Sequence, residues 1–178
     1  MLMRHVFLAA ALGGCFAIWS AKAESNARVE YVHPENFTDV SFRSMTPQAA
    51  QDRLERELTN TIEGAAEHYL GGYRLAVRIL DVAMAGREAF ENPGFNSDLR
   101  IRNSMGKPSK ISVQYEIKDP AGHVVAKGAR VLTNLRYQWD YPDTRLDTLY
   151  PEKQLLRDWI RGLPREAGKP PARAGLGK

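Results

Sequence analysis

Apolar and polar residues alternate in four segments of the chain, and this period of two is the pattern of a β-strand with one buried face. The four segments are residues 29–33, 73–84, 111–118 and 123–133. The last two flank Asp119-Pro120-Ala121-Gly122, a four-residue turn with proline and glycine in suitable places, so they predict a hairpin. A further short strand is expected near residues 99–102, inside a long connection.

A different period, apolar residues at steps of three and four, predicts a long amphipathic helix between the first two strands. Thr46 is suited to the N-cap, Pro47 to the first helical position and Gly71-Gly72 to the end. The apolar stripe consists of Leu54, Leu58, Ile62, Ala65 or Ala66, and Tyr69. A helix of this length would lie across a whole sheet.

A shorter helix is predicted near the end of the chain, with Pro151 at its start and with Gly162 and Pro164 closing it. Its apolar face consists of Leu155, Leu156, Trp159 and Ile160. The order of elements predicts an α+β fold. It is a two-layer sandwich in which a mostly antiparallel sheet carries the long helix on its buried face and the short C-terminal helix beside it.

The first 23 residues have the three parts of a secretory signal peptide: a charged start, an apolar run and small residues at Ala21 and Ala23. The apolar run is shorter than the roughly 20 residues that a membrane-spanning helix needs. We therefore predict cleavage after Ala23, one domain over residues 24–163 and a disordered basic Pro/Gly-rich tail over residues 164–178.

An alternative lies inside this leader, because Leu12-Gly13-Gly14-Cys15 resembles the lipobox of bacterial lipoproteins. Cys15 would then be acylated and become the first residue of a membrane-tethered protein. The apolar run continues past Cys15, which favours a soluble exported protein. The predicted location is the periplasm, with tethering to the outer membrane only if Cys15 is acylated.

Cleavage of the leader changes the net charge and the cysteine content of the protein. It carries two basic residues, Arg4 and Lys22, and no acidic ones, so the formal charge of +4 falls to +2. The case for an acidic partner therefore weakens, and nucleic acid is not an expected partner. Cleavage also removes Cys15, the sole cysteine, which excludes disulfides and thiol chemistry.

Catalytic chemistry finds little support in the sequence. His33, His68 and His123 lack the spacing of a metal site, and no serine lies in a nucleophile elbow. Glu35 and Asp39 form the best pair of carboxylates for acid–base work, although turn formation and the approach to the helix are the simpler explanation for them. We predict neither a metal, nor a cofactor, nor a catalytic residue.

Two segments are candidates for binding. In the first, Tyr137, Trp139, Tyr141 and Arg145 alternate aromatic and polar groups, as surfaces for sugars or proteins do. The alternative is that these aromatic residues fill the edge of the sandwich. The second candidate is the basic set of the long connection, with Arg100 and Arg102 at its centre; the alternative is a loop that is merely solvated. The set consists of Arg87, Arg100, Arg102, Lys107 and Lys110.

Three motifs resemble a family of exported bacterial proteins catalogued as domain of unknown function 3016. The closing signature is Leu132–Tyr137 followed by Glu152–Ile160, and the hairpin turn Asp119–Gly122 also fits. The opening resembles residues 29–39, although His33 stands where an acidic residue is more usual before the proline. The resemblance implies export and a single domain, and it brings no activity or site residue.

These observations predict a non-catalytic periplasmic module that binds an envelope protein, glycan or other envelope component. One alternative is a lipoprotein acylated at Cys15 with an accessory role in envelope assembly or transport, the only form expected at a membrane. The other is a small hydrolase of cell-wall or carbohydrate material that uses Glu35, Asp39 and the aromatic segment.

Overall fold

The computed structural model describes residues 25–88, 100–101, 106–136 and 147–168. They form a mixed sheet with two helices, which confirms the predicted α+β sandwich. The elements in chain order are β1 (Ala27–Tyr31), a 3₁₀ turn (Pro34–Asn36), α1 (Pro47–Leu70), β2 (Arg74–Ala83), β3 (Arg87–Glu88), β4 (Arg100–Ile101), β5 (Lys110–Lys118), β6 (Val124–Thr133) and α2 (Tyr150–Glu166).

The main sheet has four strands in the order β1-β2-β5-β6. β1 pairs with β2 in parallel, and the other two pairings are antiparallel. The predicted hairpin is present, and its turn is closed by the Asp119 carboxylate, which accepts a hydrogen bond of 2.9 Å from the backbone N–H of His123. This backbone hydrogen bond is the main reason why the pKa of Asp119 lies below its ordinary value.

Two strands differ from their predictions in extent or in pairing. β1 ends at Tyr31, two residues before the predicted end, because His33 adopts a left-handed conformation (φ 53°) ahead of Pro34 and turns the chain away. The strand expected near residues 99–102 is β4, but it pairs with β3 in a separate two-stranded sheet.

The long helix α1 begins as predicted. The Thr46 side chain accepts a hydrogen bond from the backbone N–H of Ala49, and Gly71 ends the helix with a left-handed φ of 43°. The buried stripe contains the predicted residues except Tyr69, which is half-buried, and it also includes Ala50, Thr61 and Leu70. The stripe consists of Ala50, Leu54, Leu58, Thr61, Ile62, Ala65, Ala66 and Leu70.

The predicted end of α2 is wrong, because the helix runs through Gly162 and Pro164 to Glu166. The proline is tolerated since it lies in the last turn and its ring is buried, as is Leu163 beside it. The helix ends at Glu166, two residues before Gly168, which takes a positive φ of 69°. Residues 169–178, the remainder of the predicted tail, lie outside the described residues.

The hydrophobic core lies between the helices and one face of the sheet, called here the inner face. Leu75, Val77 and Ile79 of β2 point into it, and the alternate residues of β5 do the same. A charged link holds the helices together at the edge of this core, because the Lys153 Nζ of α2 lies 2.6 Å from a Glu57 carboxylate oxygen of α1. Neither helix of the described ranges is long and apolar enough to cross a membrane.

Candidate functional site

The opposite face of the sheet, called here the outer face, is not covered by any described element. Strand alternation that sends Leu75 and Val77 inward sends Arg74, Ala76 and Arg78 outward, and all three are exposed. The strand register then aligns outward residues of all four strands into rows. One row is Arg28, Ala76, Glu116 and Lys127, and the next is Glu30, Arg78, Gln114 and Ala129.

Two adjoining hollows lie on this outer face and share Ala76 and Glu116. The first, about 510 Å³, extends over Ala76 and Ala129 towards Lys127. The second, about 390 Å³, lies at the end of the sheet beside Arg28 and Arg74. The hollows exist because small side chains lie between long polar ones. The two hollows together are called the basic groove.

The floor of the first hollow depends on a close contact beneath Gly128. An added Cβ on Gly128 would lie 3.2 Å from the Tyr115 ring, so only glycine fits without movement. The ring is held from below by an edge-on contact with Trp159, 5.5 Å between ring centroids, and by a hydrogen bond from its hydroxyl to Glu166. Burial, together with this carboxylate, raises the pKa of Tyr115.

Positive charge dominates the basic groove. Its lining contains five basic side chains and one acidic one, Glu116. The basic side chains are Arg28, Arg74, Arg78, Lys118 and Lys127. Glu116 is paired with Lys118 at 3.1 Å, and Arg78 is held by Glu30 at 3.3 Å and by the Gln114 side-chain oxygen at 3.1 Å. Such an arrangement attracts an anionic ligand.

Sequence reasoning missed this groove. The alternation of Arg74 and Arg78 with buried residues was visible, but it indicated only a solvated strand face. One feature of the sequence could have indicated it: the outward-facing residues on either side of Ala76 in the predicted strand are both arginines, Arg74 and Arg78. A small residue between two long cationic ones leaves a hollow.

Among the predicted binding residues, Arg100 is described, and it is buried rather than solvated. Its Nη2 lies 2.5 Å from an Asp39 carboxylate oxygen, its Nη1 donates to the Ser41 hydroxyl at 2.9 Å, and its Nε donates to the Ala85 carbonyl at 2.9 Å. Its side chain is 2% exposed. Arg100 therefore holds the loop after β1 against the end of β2. A ligand would have to displace these contacts to reach it.

A buried glutamate of α2 joins the same region. Glu152 is fully buried, and its Oε1 accepts a hydrogen bond of 2.7 Å from the backbone N–H of Ala85. The carbonyl of Ala85 is the group that Arg100 binds, so one peptide segment connects both side chains. Sequence reasoning placed Glu152 in the first turn of the helix and gave no sign that it would be buried.

The structure does not bring Glu35 and Asp39 together as a catalytic pair. Glu35 is exposed and lies 3.3 Å from the Nδ1 of His33, whereas Asp39 is paired with Arg100. Neither carboxylate lines the basic groove or a third cavity of about 420 Å³ beside α2. Within the described ranges there is also no group of three histidine, cysteine or acidic residues that could hold a metal ion.

That third cavity is lined by residues that flank the predicted aromatic segment in the sequence. Its lining includes Asn134 and Arg136 on one side and Tyr150 and Asp158 on the other. The remaining predicted site residues, of the leader, the long connection and the aromatic segment, lie outside the described residues. They are Cys15, Ala21, Ala23, Arg102, Tyr137, Trp139, Tyr141 and Arg145.

Comparison with known proteins identifies the family and nothing narrower. Neither the curated proteins nor the solved structures include a match to this chain. The family model described as protein of unknown function (DUF3016) matches residues 25–162, which include every described element of the main sheet and most of α2. This match confirms the resemblance found in the sequence, and the chain belongs to that family.

Proposed function

We propose that the protein is an exported, non-catalytic module that binds a component of the bacterial cell envelope through the outer face of its sheet. The observation that carries the proposal is the first hollow, about 510 Å³, on a sheet face that no described element covers. Its volume lies within the range of ligand sites, roughly 300–1,000 Å³. The composition of the leader supports export.

The contacts of the candidate acid–base residues favour binding over catalysis. A general acid or base must reach its substrate, and Asp39 is engaged by Arg100 while Glu35 lies apart from both hollows. Five of the six charged side chains that line the basic groove are hydrogen-bond donors, such as Arg78 and Lys127, and the sixth, Glu116, is paired with Lys118. The tethered alternative would use the same groove and would differ only at Cys15.

A photo-crosslinking residue at Ala129 tests the use of the outer face in living cells that express the full chain. Ala129 lines the first hollow, and Glu67 on α1 provides an exposed control position away from the sheet. We expect a discrete adduct from position 129, none from position 67, and loss of the adduct when Ala76→Trp fills the hollow. Equal adducts from both positions, or an adduct that survives Ala76→Trp, would contradict the proposal.

Intact mass of the protein recovered from the envelope tests export separately. We expect a chain that begins at Glu24. A chain that begins at acylated Cys15 would support the tethered alternative, and a chain that keeps Met1 to Ala23 would overturn export.

A further inference from the structure

We propose that the ligand of the basic groove is a glycan that carries at least two anionic groups, either phosphate or carboxylate. This assignment rests on the proposed function, since it names the class of ligand for the same groove. Three properties of the groove support it: its excess of positive charge, its division into two hollows, and its position on the face of the sheet.

The excess of charge has no counterpart within the described part of the protein. Glu116 is the sole acidic residue of the described lining, and it is already paired with Lys118. Arg28, Arg74 and Lys127 have no carboxylate partner among the described residues. Arginine binds phosphate and carboxylate through paired hydrogen bonds, so an anionic ligand would satisfy groups that the described fold leaves to water.

The division of the groove into two hollows calls for more than one anionic group. Arg74 and Arg78 lie four residues apart on β2, with Ala76 between them, and their Cα atoms are about 13 Å apart at about 3.3 Å per residue. Arg78 lines the first hollow and Arg74 lines the second. Each hollow contains at least two basic side chains, so we assign one anionic group of the ligand to each hollow.

The position of the groove favours a glycan over an extended acidic peptide. A peptide that binds a sheet usually adds a strand at its edge, where backbone groups are free. The groove instead lies on the face of the sheet and spans all four strands, from Arg28 of β1 to Lys127 of β6. Recognition must therefore come from side chains, and the Gln114 amide and the arginines of the rows can pair with sugar hydroxyls.

A lipid chain is disfavoured by the lining of the groove. The large exposed apolar side chains of the described residues are Val124, Val125, Val131 and Leu135, and none of them lines either hollow. An acyl chain binds by burying its apolar surface against large apolar side chains of this kind. The small apolar surface of Ala76 and Ala129 suits the flat face of a sugar ring instead.

Calorimetric titration of the mature protein with two defined probes tests the assignment. The first probe is the deacylated, phosphorylated oligosaccharide of lipopolysaccharide, and the second is oligogalacturonate, whose anionic groups are carboxylates. The reversal variant is Arg74→Glu with Lys127→Glu. Its matched control is Arg56→Glu with Arg157→Glu, the same change of charge at exposed positions on α1 and α2.

We expect at least one probe to bind, with a Kd about tenfold or more higher for the reversal variant and unchanged for the control. Removal of the phosphates from the first probe, or reduction of the carboxylates of the second, should raise the Kd of that probe by as much as the reversal variant does. Salt at about 1 M should also raise the Kd, because it screens the charges. Circular dichroism melts establish that both variants fold.

Several results would overturn the assignment. The first is that neither probe binds. The second is that the dephosphorylated or carboxyl-reduced probe binds with the same Kd as the anionic one. The third is that the control variant weakens binding as much as the reversal variant does. Tighter binding of hexaglutamate peptide or of phosphatidylglycerol vesicles would also overturn it, in favour of an acidic protein or a membrane. If Ala76→Trp abolishes crosslinking from position 129 but the reversal variant does not, the proposed function stands and the anionic glycan is wrong.

Discussion

The buried ion pair between Arg100 and Asp39 should stabilise the fold strongly, and removal of either member should show it. Arg100 connects three chain segments that are distant in sequence: the loop at Asp39 and Ser41, the segment just after β2 at Ala85, and its own short strand β4. We predict that Arg100→Met and Asp39→Asn each lower the free energy of unfolding, and that the two effects overlap.

The magnitude follows from the contacts. The guanidinium makes three hydrogen bonds of 2.9 Å or less, and its side chain is 2% exposed, whereas that of Asp39 is 34% exposed. Breaking a buried pair costs about 3–5 kcal/mol, and the partial exposure of Asp39 places this case near the lower limit. We expect a loss of about 3 kcal/mol for Arg100→Met and about 2 kcal/mol for Asp39→Asn.

Urea denaturation of the two single variants and of the double variant measures the coupling. If the ion pair acts as one unit, the double variant loses about 3 kcal/mol, which gives a coupling energy of about 2 kcal/mol. Arg100→Lys keeps the charge without the planar fork and should recover part of the loss. A coupling energy below about 0.5 kcal/mol would refute the reasoning, since it would mean that Arg100 is held by the backbone carbonyls alone.

Two further predictions concern the hairpin. Gly128→Ala should destabilise the fold by about 1–2 kcal/mol, because the new Cβ would lie 3.2 Å from a Tyr115 ring that Trp159 holds in place. Gly64→Ala in α1, where an added Cβ meets nothing within 4 Å, should instead stabilise it by about 0.5–1 kcal/mol; thermal melts compare the two. Asp119→Ala should destabilise the protein at pH 7. Because the pKa of Asp119 is lowered in the folded state, the stability that it contributes is present above its ordinary value of 3.8 and is lost as the pH falls through the folded value. Chemical denaturation at pH 7 and at pH 3 should therefore show a difference between variant and wild type that shrinks at the lower pH, and a difference that is constant with pH would contradict it.

The two helices and the strands of the main sheet could be predicted because each one carries a local signal. Thr46 and Gly71 mark the two ends of α1 through capping and a positive φ, and both signals depend on near neighbours. The end of α2 was missed because the local signal there was misleading. Gly162 and Pro164 usually end a helix, but burial of Leu163 and Pro164 against the core outweighed that preference.

The candidate sites required information that no local pattern contains. Arg100 and Glu152 are both charged, and no residue near them in the sequence indicates that they are buried. Their burial depends on the Ala85 peptide, which lies 15 residues from Arg100 and 67 from Glu152. A buried charge is stable only where such partners surround it, and here the partners come from the segment just after β2 and from the loop after β1.

The basic groove shows the same dependence on strand order. Alternation correctly indicates that Arg28, Ala76, Glu116 and Lys127 each point away from the core, but it does so for each strand separately. They form one row only because the parallel pairing of β1 with β2 aligns Arg28 with Ala76, and the antiparallel pairings align Ala76 with Glu116 and Glu116 with Lys127. A shift of one residue in any of these pairings would turn that strand's outward side chains inward, so the same hydrophobic pattern that buries the core also assembles the cations of the opposite face. The groove is therefore a property of the register, and substitutions that preserve the core preserve the positions from which its side chains reach the ligand.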